Sequence, residues 1–217
     1  MKEKYRHPEP SSKGLIAHYK LWAGLQTAGT IFDYSLNGNT GTVKANSAPA
    51  YPGFSFDGVG DYITIGNAGS TLEDNFTISI LFNLTSVNTR LMSRRPANDT
   101  TQWDTYLELP NGALVIYDGG TEWKGTTTGL NDNKWHQADF VINGASSMIY
   151  LDGIADRAAF NPSITAQVET TTIGCYRSAS PAAFSTGTIG EIMLFDIALS
   201  APEVKSLYET RRWRYSI

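Results

Sequence analysis

Phe54-Ser55-Phe56-Asp57-Gly58-Val59-Gly60-Asp61-Tyr62-Ile63-Thr64-Ile65 is the stretch on which the reading of this chain turns. Phe54 and Phe56 alternate with Ser55 and Asp57; past the glycines, Ile63 and Ile65 alternate with Tyr62 and Thr64. A period of two in aromatic and β-branched residues marks half-buried strands. Gly58 and Gly60 offer the backbone freedom of a tight reversal, so the stretch predicts a β-hairpin. A hairpin this short cannot stand alone in water, and a larger sheet must surround it.

The same alternation recurs outward from there. Residues 15–22 place Leu15, Ala17, Tyr19 and Leu21 on one face, and a turn-rich loop from Ile31 leads into a short strand at 42–45. Residues 76–83 set Phe76, Ile78, Ile80 and Phe82 on one side, with Leu81 and Leu84 assigned to the other, as in a strand covered on both faces. Residues 105–109 and 113–117 read as a pair across Asn111-Gly112, and 134–142 and 146–151 as another across Asn143-Gly144. With 91–95, 154–157, 170–175 and 188–195 the set comes to about a dozen strands spaced about 8–12 residues apart, the signature of a two-sheet sandwich. One helix is signalled: Ser200-Ala201-Pro202-Glu203 has the form of a capping box, and Val204, Leu207 and Tyr208 follow at helical spacing. Arg211 and Arg212 fall where cations favour a helix C-terminus.

The totals narrow the function classes. A chain of 217 residues fits one large all-β domain. Cys175 is the single cysteine, so no internal disulfide forms, and its strand position predicts a buried, inert thiol. His7, His18 and His136 show no metal-ligand spacing. No run approaches eighteen apolar residues, and Met1 to Pro8 is charged with no apolar stretch behind it; the expectation is no membrane insertion and a cytoplasmic protein as synthesised, or a virion protein if phage-encoded. Residues 1–13 and 203–217 each carry a balance of +2, against a net charge of −4 for the whole chain. An acidic body with basic ends does not suit a nucleic-acid reader, whose cations line one face. It does suit ends that dock on an acidic neighbour, with Lys2, Lys4, Arg6, Arg211, Arg212 and Arg214 as the docking cations. The organisation expected is an arm at 1–13, one domain at 14–210 and a basic tail at 211–217.

Five motifs, in order, resemble a laminin-G-like domain of the concanavalin A-like lectin/glucanase superfamily, in its bacterial and phage form. They are Gly14-Leu15-Ile16-Ala17-His18-Tyr19, the loop Asp33 to Thr42, the Phe56-Asp57-Gly58 to Asp61-Tyr62-Ile63 segment, Trp135-His136 with Tyr150-Leu151-Asp152-Gly153, and Gly190-Glu191-Ile192 leading to Leu199-Ser200-Ala201-Pro202-Glu203-Val204. The resemblance implies an all-β, concanavalin A-like jelly roll of two antiparallel sheets with one short C-terminal helix. It also implies a structural calcium, for which Asp33, Asn37, Asn39 and Glu191 are the candidate ligands; the alternative for the loop is a network of Asx turns.

Fold alone assigns no activity. The superfamily's hydrolases carry Glu-x-Asp-x-Glu or a close variant on one strand, so that both carboxylates share a face. No glutamate here is followed two residues later by an aspartate, and the chain is expected not to be an enzyme, which puts a glycoside hydrolase last. The first expectation is a non-catalytic structural or adhesion protein at a phage virion surface, as capsid decoration or a tail- or fibre-associated component. Its partners would be other particle proteins or further copies of itself. The alternative is a carbohydrate-binding lectin module. For a glycan, Trp103, Asp104, Tyr117 and Trp123 are the candidate contacts, as aromatic platforms beside a carboxylate.

Overall fold

Strands with one apolar side each must stack in layers to hide it. A computed structural model of the chain, which describes residues 12–23, 29–45, 47–69, 72–95, 103–165, 168–177 and 179–216, shows two such layers. The elements in chain order are β1 (Leu15–Lys20), a 3-10 turn (Leu21–Ala23), β2 (Thr30–Ile31), β3 (Gly41–Lys44), β4 (Ala48–Ala50), β5 (Gly53–Asp57), β6 (Tyr62–Thr64), β7 (Asn75–Leu84) and β8 (Thr89–Arg94). There follow β9 (Trp103–Leu107), β10 (Leu114–Tyr117), β11 (Glu122–Lys124), β12 (His136–Asn143), β13 (Ser147–Leu151), β14 (Ile154–Phe160), β15 (Thr172–Ile173), β16 (Thr186–Phe195) and α1 (Ala201–Tyr215). The first sheet runs β14-β13-β12-β7-β16-β5-β4, with β1 also on β16; the second runs β11-β10-β9-β8-β15-β6-β3-β2. Every strand pairing in both is antiparallel.

The deciding stretch is not a hairpin. β5 pairs with β16 and β4 in the first sheet, whereas β6 pairs with β15 and β3 in the second. Gly58 to Gly60 carries the chain across the sandwich. Asp57 Oδ1 accepts the amides of Val59 at 2.8 Å and Gly60 at 3.3 Å, and Asp61 Oδ2 accepts the amide of Asp57 at 3.1 Å. Phe54 and Phe56 therefore enter the inter-sheet core from one wall and Ile63 and Ile65 from the other. Alternation dictates which side chains are buried; it does not dictate the neighbouring strand. Leu84 likewise joins Phe76, Ile78, Ile80 and Phe82 in that core, as its even position in β7 requires, while Leu81 is buried outside it.

The two sheets differ on their outer sides. On the first, Val141, Tyr150, Met193 and Phe195 pack under Leu199, Val204 and Leu207, so α1 covers that face. The helix starts as its sequence predicts: Ser200 N donates to Glu203 Oε2 at 2.7 Å, closing the capping box. It ends later than expected, at Tyr215, so the proposed tail at 211–217 is mostly helix. Gly190 in β16 makes room for it. A Cβ there would lie 2.6 Å from Tyr215 Cε1 and 3.0 Å from Trp135 Cζ3. Arg211, expected on an exposed docking tail, is 1% exposed, and its Nη2 donates to Ser79 Oγ at 2.6 Å. Ser79 in turn donates to Asp139 Oδ1. Arg214 turns inward to Glu191 Oε2 at 3.2 Å. Arg212 stays half-exposed beside Glu209. Lys2, Lys4 and Arg6 lie outside the described residues.

Candidate functional site

Among the described residues α1 is the one α-helix, and it packs on the first sheet; on the outer face of the second, Ser93, Asp104, Tyr106 and Val115 are nonetheless buried. Strand register lines its side chains up in two rungs. Arg90, Tyr106, Val115 and Lys124 stand opposite one another across β8, β9, β10 and β11, and Ser93, Asp104, Tyr117 and Glu122 form the next rung. Bonds run diagonally between the rungs. Arg90 Nε donates to Asp104 Oδ2 at 2.6 Å, the Tyr106 hydroxyl donates to Glu122, and Lys124 pairs with Glu108 and with Glu122.

Tyrosine rings and guanidinium groups dominate one end of this face. The Arg90 Cζ lies 4.0 Å from the Tyr106 ring centre and 5.2 Å from that of Tyr176. Arg95 lies 4.5 Å from Tyr117 and 5.1 Å from Tyr176, and Arg177 lies 4.6 Å from Tyr176. Planar guanidinium on aromatic ring is a favourable pairing through the ring quadrupole. Beneath them Asp104 is fully buried, and its Oδ1 has no hydrogen-bond partner. Burial pushes the Asp104 carboxyl up to about 6, against the pull of Arg90 and Arg95. Glu122 moves the other way, held below the usual carboxylate range by the Tyr106 hydroxyl and then by Lys124. Tyr117, Tyr176 and Arg177 remain half-buried, with part of each side chain open to solvent.

The four residues expected to meet a glycan are divided by the pleat. Asp104 and Tyr117 are direct cross-strand partners on the outer face. Trp103 and Trp123 point the other way. Trp103 is fully buried, 6.4 Å from Phe76, and Trp123 stacks on Phe160 at 5.3 Å with its Nε1 donating to Asp118 Oδ2. Successive residues of a strand face opposite sides, so adjacent Trp103 and Asp104 could not share a surface. Arg90, Arg95, Tyr176 and Arg177 do not stand out in the sequence, because only the pairing of β15 with β8 brings the segment after β15 to this end of the face. Cys175 follows its expectation: it is buried, and burial pushes its thiol up to about 12.

The expected calcium ligands do not form a cation cage. Asp33 Oδ1 accepts the amides of His18 and Ser35, each at 2.9 Å, and Oδ2 accepts the amide of Asn39 at 3.0 Å. Asn37 and Asn39 turn their Nδ2 groups to the carbonyl of Ile16, at 3.2 and 2.8 Å. Glu191 sits between His18 Nε2, at 2.6 Å, and Arg214. Both carboxylates thus face N–H donors, whereas calcium requires six to eight oxygens pointing inward. Within the loop, the bonds that Asp33 accepts from the amides of Ser35 and Asn39 are those of an Asx-turn network.

A concavity of about 330 Å³ opens near the C-terminal end of α1 and is lined by Asn83, Asn133, Trp135, His136, Asp152 and Tyr208 among others. His136 is held there by Asp152 at 2.9 Å and Asp132 at 3.3 Å. Although burial alone would lower it, these two carboxylates raise the imidazole above its ordinary value. Among the described residues, no helix is long and apolar enough to cross a membrane.

Residues 57–205 match the laminin-G-like family model whose description is the concanavalin A-like lectin/glucanases superfamily. No curated protein sequence matches the chain. Among solved structures it resembles domain 4 of AbnA, a GH43 extracellular arabinanase from Geobacillus stearothermophilus solved in complex with arabinotriose. That match has a TM-score of 0.65 and 18% identity, and covers 89% of this chain and 98% of that one. The binding domain of botulinum neurotoxin DC in complex with SialylT gives a TM-score of 0.67 at 14% identity, covering 92% of this chain and 52% of that one. The same neurotoxin's binding domain in complex with rat synaptotagmin II gives 0.68 at 16% identity, covering 91% and 51%. The chain spans about half the length of these neurotoxin domains.

Proposed function

The chain belongs to the concanavalin A-like lectin/glucanases superfamily, and on that premise we propose that it is a non-catalytic carbohydrate-binding domain whose ligand lies on the outer face of the second sheet. The observation that carries the reading is the half-open tyrosine pair, Tyr117 and Tyr176, with guanidinium groups fixed against both rings. A pyranose ring offers C–H groups to an aromatic face and hydroxyls to the charged groups around it. Its structural relatives support the choice of ligand class: one was solved with arabinotriose and another with SialylT.

The chemistry of the same face speaks for binding without turnover. A glycosidase needs two carboxylates flanking the scissile bond, one of them protonated and able to reach the glycosidic oxygen. Asp104 is the carboxyl raised on this face, and it is fully buried under Arg90. Glu108 and Glu122 are both tied to Lys124.

The other reading is a structural or adhesion protein at a particle surface, held there by charged ends acting as docking arms; α1 turns Arg211 and Arg214 inward, which removes part of its support. A glycan array with the full chain and with Tyr176→Ala tests the ligand reading. At least one oligosaccharide is expected to be retained by the former and lost by the latter. An array blank for the full chain overturns the proposal.

A further inference from the structure

We infer that the concavity at the C-terminal end of α1 is a second saccharide seat, one that takes a neutral sugar ring against Trp135 and Tyr208. The ligand class rests on the carbohydrate reading; the place does not depend on the outer face of the second sheet. The hollow forms where three chain reversals meet. Asn133 lies in the loop before β12, Asp152 turns β13 into β14, and Ser216 closes α1, with φ of 62°, 50° and 57°. All three line it. Its volume of about 330 Å³ falls at the lower end of the range for small-molecule sites, about 300–1,000 Å³.

One wall is aromatic. The Trp135 and Tyr215 ring centres lie 4.7 Å apart with their planes at 58°. Tyr215 is buried, whereas Trp135 and Tyr208 remain half-buried. Gly153 lets Tyr208 sit close on the β13–β14 turn, since a Cβ there would lie 3.1 Å from Tyr208 Cβ. Polar groups stand around the rings. Asp152 is fixed from two sides, with Oδ1 accepting the Gln137 amide at 2.7 Å and Oδ2 facing His136 Nδ1 at 2.9 Å. Asn83 Nδ2 donates to the Asn133 carbonyl at 3.2 Å. Among the described residues, Asn83 Oδ1 and the Asn133 side-chain amide have no hydrogen-bond partner, and both residues line the hollow.

The charges here answer one another. Lys134 pairs with Asp132 at 3.0 Å, and His136 lies between Asp132 at 3.3 Å and Asp152 at 2.9 Å. Matched pairs of this kind favour a neutral ligand over an ion. A hydroxyl both gives and takes a hydrogen bond, so neighbouring sugar hydroxyls suit an amide beside a carboxylate. The C–H face of the same ring suits Trp135 and Tyr208.

The test is calorimetric titration with arabinotriose, maltotriose and lactose. It compares the full chain, Tyr176→Ala, and Tyr176→Ala carrying either Tyr208→Ala or Asn133→Gly. Removing Tyr176 disables the outer face, so the binding that remains reports the hollow. At least one of the three sugars is expected to bind Tyr176→Ala with one site per chain. Each second change should weaken that binding about tenfold, the worth of one good contact. Glycine at 133 keeps the left-handed backbone and removes the amide alone, so it decides the matter if Tyr208→Ala lowers the melting temperature. Absence of binding by Tyr176→Ala at millimolar concentration overturns the second seat. The carbohydrate reading then stands if the full chain binds, and falls as well if the glycan array is blank. Binding by Tyr176→Ala that both second changes leave intact also overturns the seat. One site per full chain, lost with Tyr208→Ala and untouched by Tyr176→Ala, keeps the seat and overturns the outer face.

Discussion

Replacing Arg211 with methionine should unbalance the layer between α1 and the first sheet. Methionine keeps most of the apolar stem and removes the charge. In the native chain Arg211 Nη2 donates to Ser79 Oγ at 2.6 Å, Ser79 donates to Asp139, and Gln137 Nε2 donates to both Asp139 oxygens, at 2.8 and 3.1 Å. Asp139 is fully buried and Arg211 is 1% exposed, so neither charge is screened by water. Arg211 and Asp139 are joined through Ser79 Oγ rather than by direct contact, and leaving one buried charge without its counter-charge costs about 3–5 kcal/mol, a large share of the roughly 5–15 kcal/mol that holds a typical domain folded. The loss should depend on pH. Burial already pushes the Asp139 carboxyl up to about 6, with Arg211 pulling it down. Without Arg211 it rises further, and below that value Asp139 is neutral in the fold and needs no counter-charge. Urea unfolding followed by tryptophan fluorescence should therefore show Arg211→Met losing about 3–4 kcal/mol near pH 8 and about half of that or less near pH 5. Adding Asp139→Asn should recover most of the loss near pH 8, a coupling that a double-mutant cycle reads directly. A loss below about 1 kcal/mol, or one that is the same at both pH values, would refute this account of how α1 is fastened.

Other consequences follow from single positions. Asp104 and Asp139 both have folded values raised to about 6, so each removes stability as pH climbs from about 4 through 6; Asp104→Asn should flatten the unfolding free energy across that window in a urea titration. His136 is raised, so its contribution is full below its ordinary value and lost as pH rises through the folded one; His136→Asn should cost more near pH 5.5 than near pH 8.5. Gly190→Ala should lower stability by about 1–3 kcal/mol through overpacking, since the new methyl meets two aromatic rings. Trp103→Ala should cost about 3–5 kcal/mol in chemical unfolding, as a core truncation does.

Much of the fold was legible because strand alternation and turn residues are local. The pairs at Asn111-Gly112 and Asn143-Gly144 appear as β9–β10 and β12–β13, and the capping box at Ser200 starts α1. What was not legible is non-local. Whether β5 and β6 share a sheet depends on partners more than a hundred residues away in β15 and β16, and nothing between Phe54 and Ile65 encodes that. The end of α1 was misplaced because Arg211 and Arg214 read as surface cations; their acceptors, Ser79 in β7 and Glu191 in β16, lie 132 and 23 residues away. The site shows both cases. The parity of β9 alone separates Trp103 from Asp104, and counting residues along the strand is enough to see it. The arginines could not have been found that way. Arg90, Arg95 and Arg177 meet only because β15 inserts between β8 and β6 and brings Tyr176 with it.

The most direct test of the central claim is a crystal structure of the full chain soaked with the tightest oligosaccharide from the array. The account predicts a sugar ring against Tyr117 or Tyr176, with hydrogen bonds to the neighbouring guanidinium groups. A saccharide found instead between Trp135 and Tyr208, with the outer face of the second sheet empty, would contradict it.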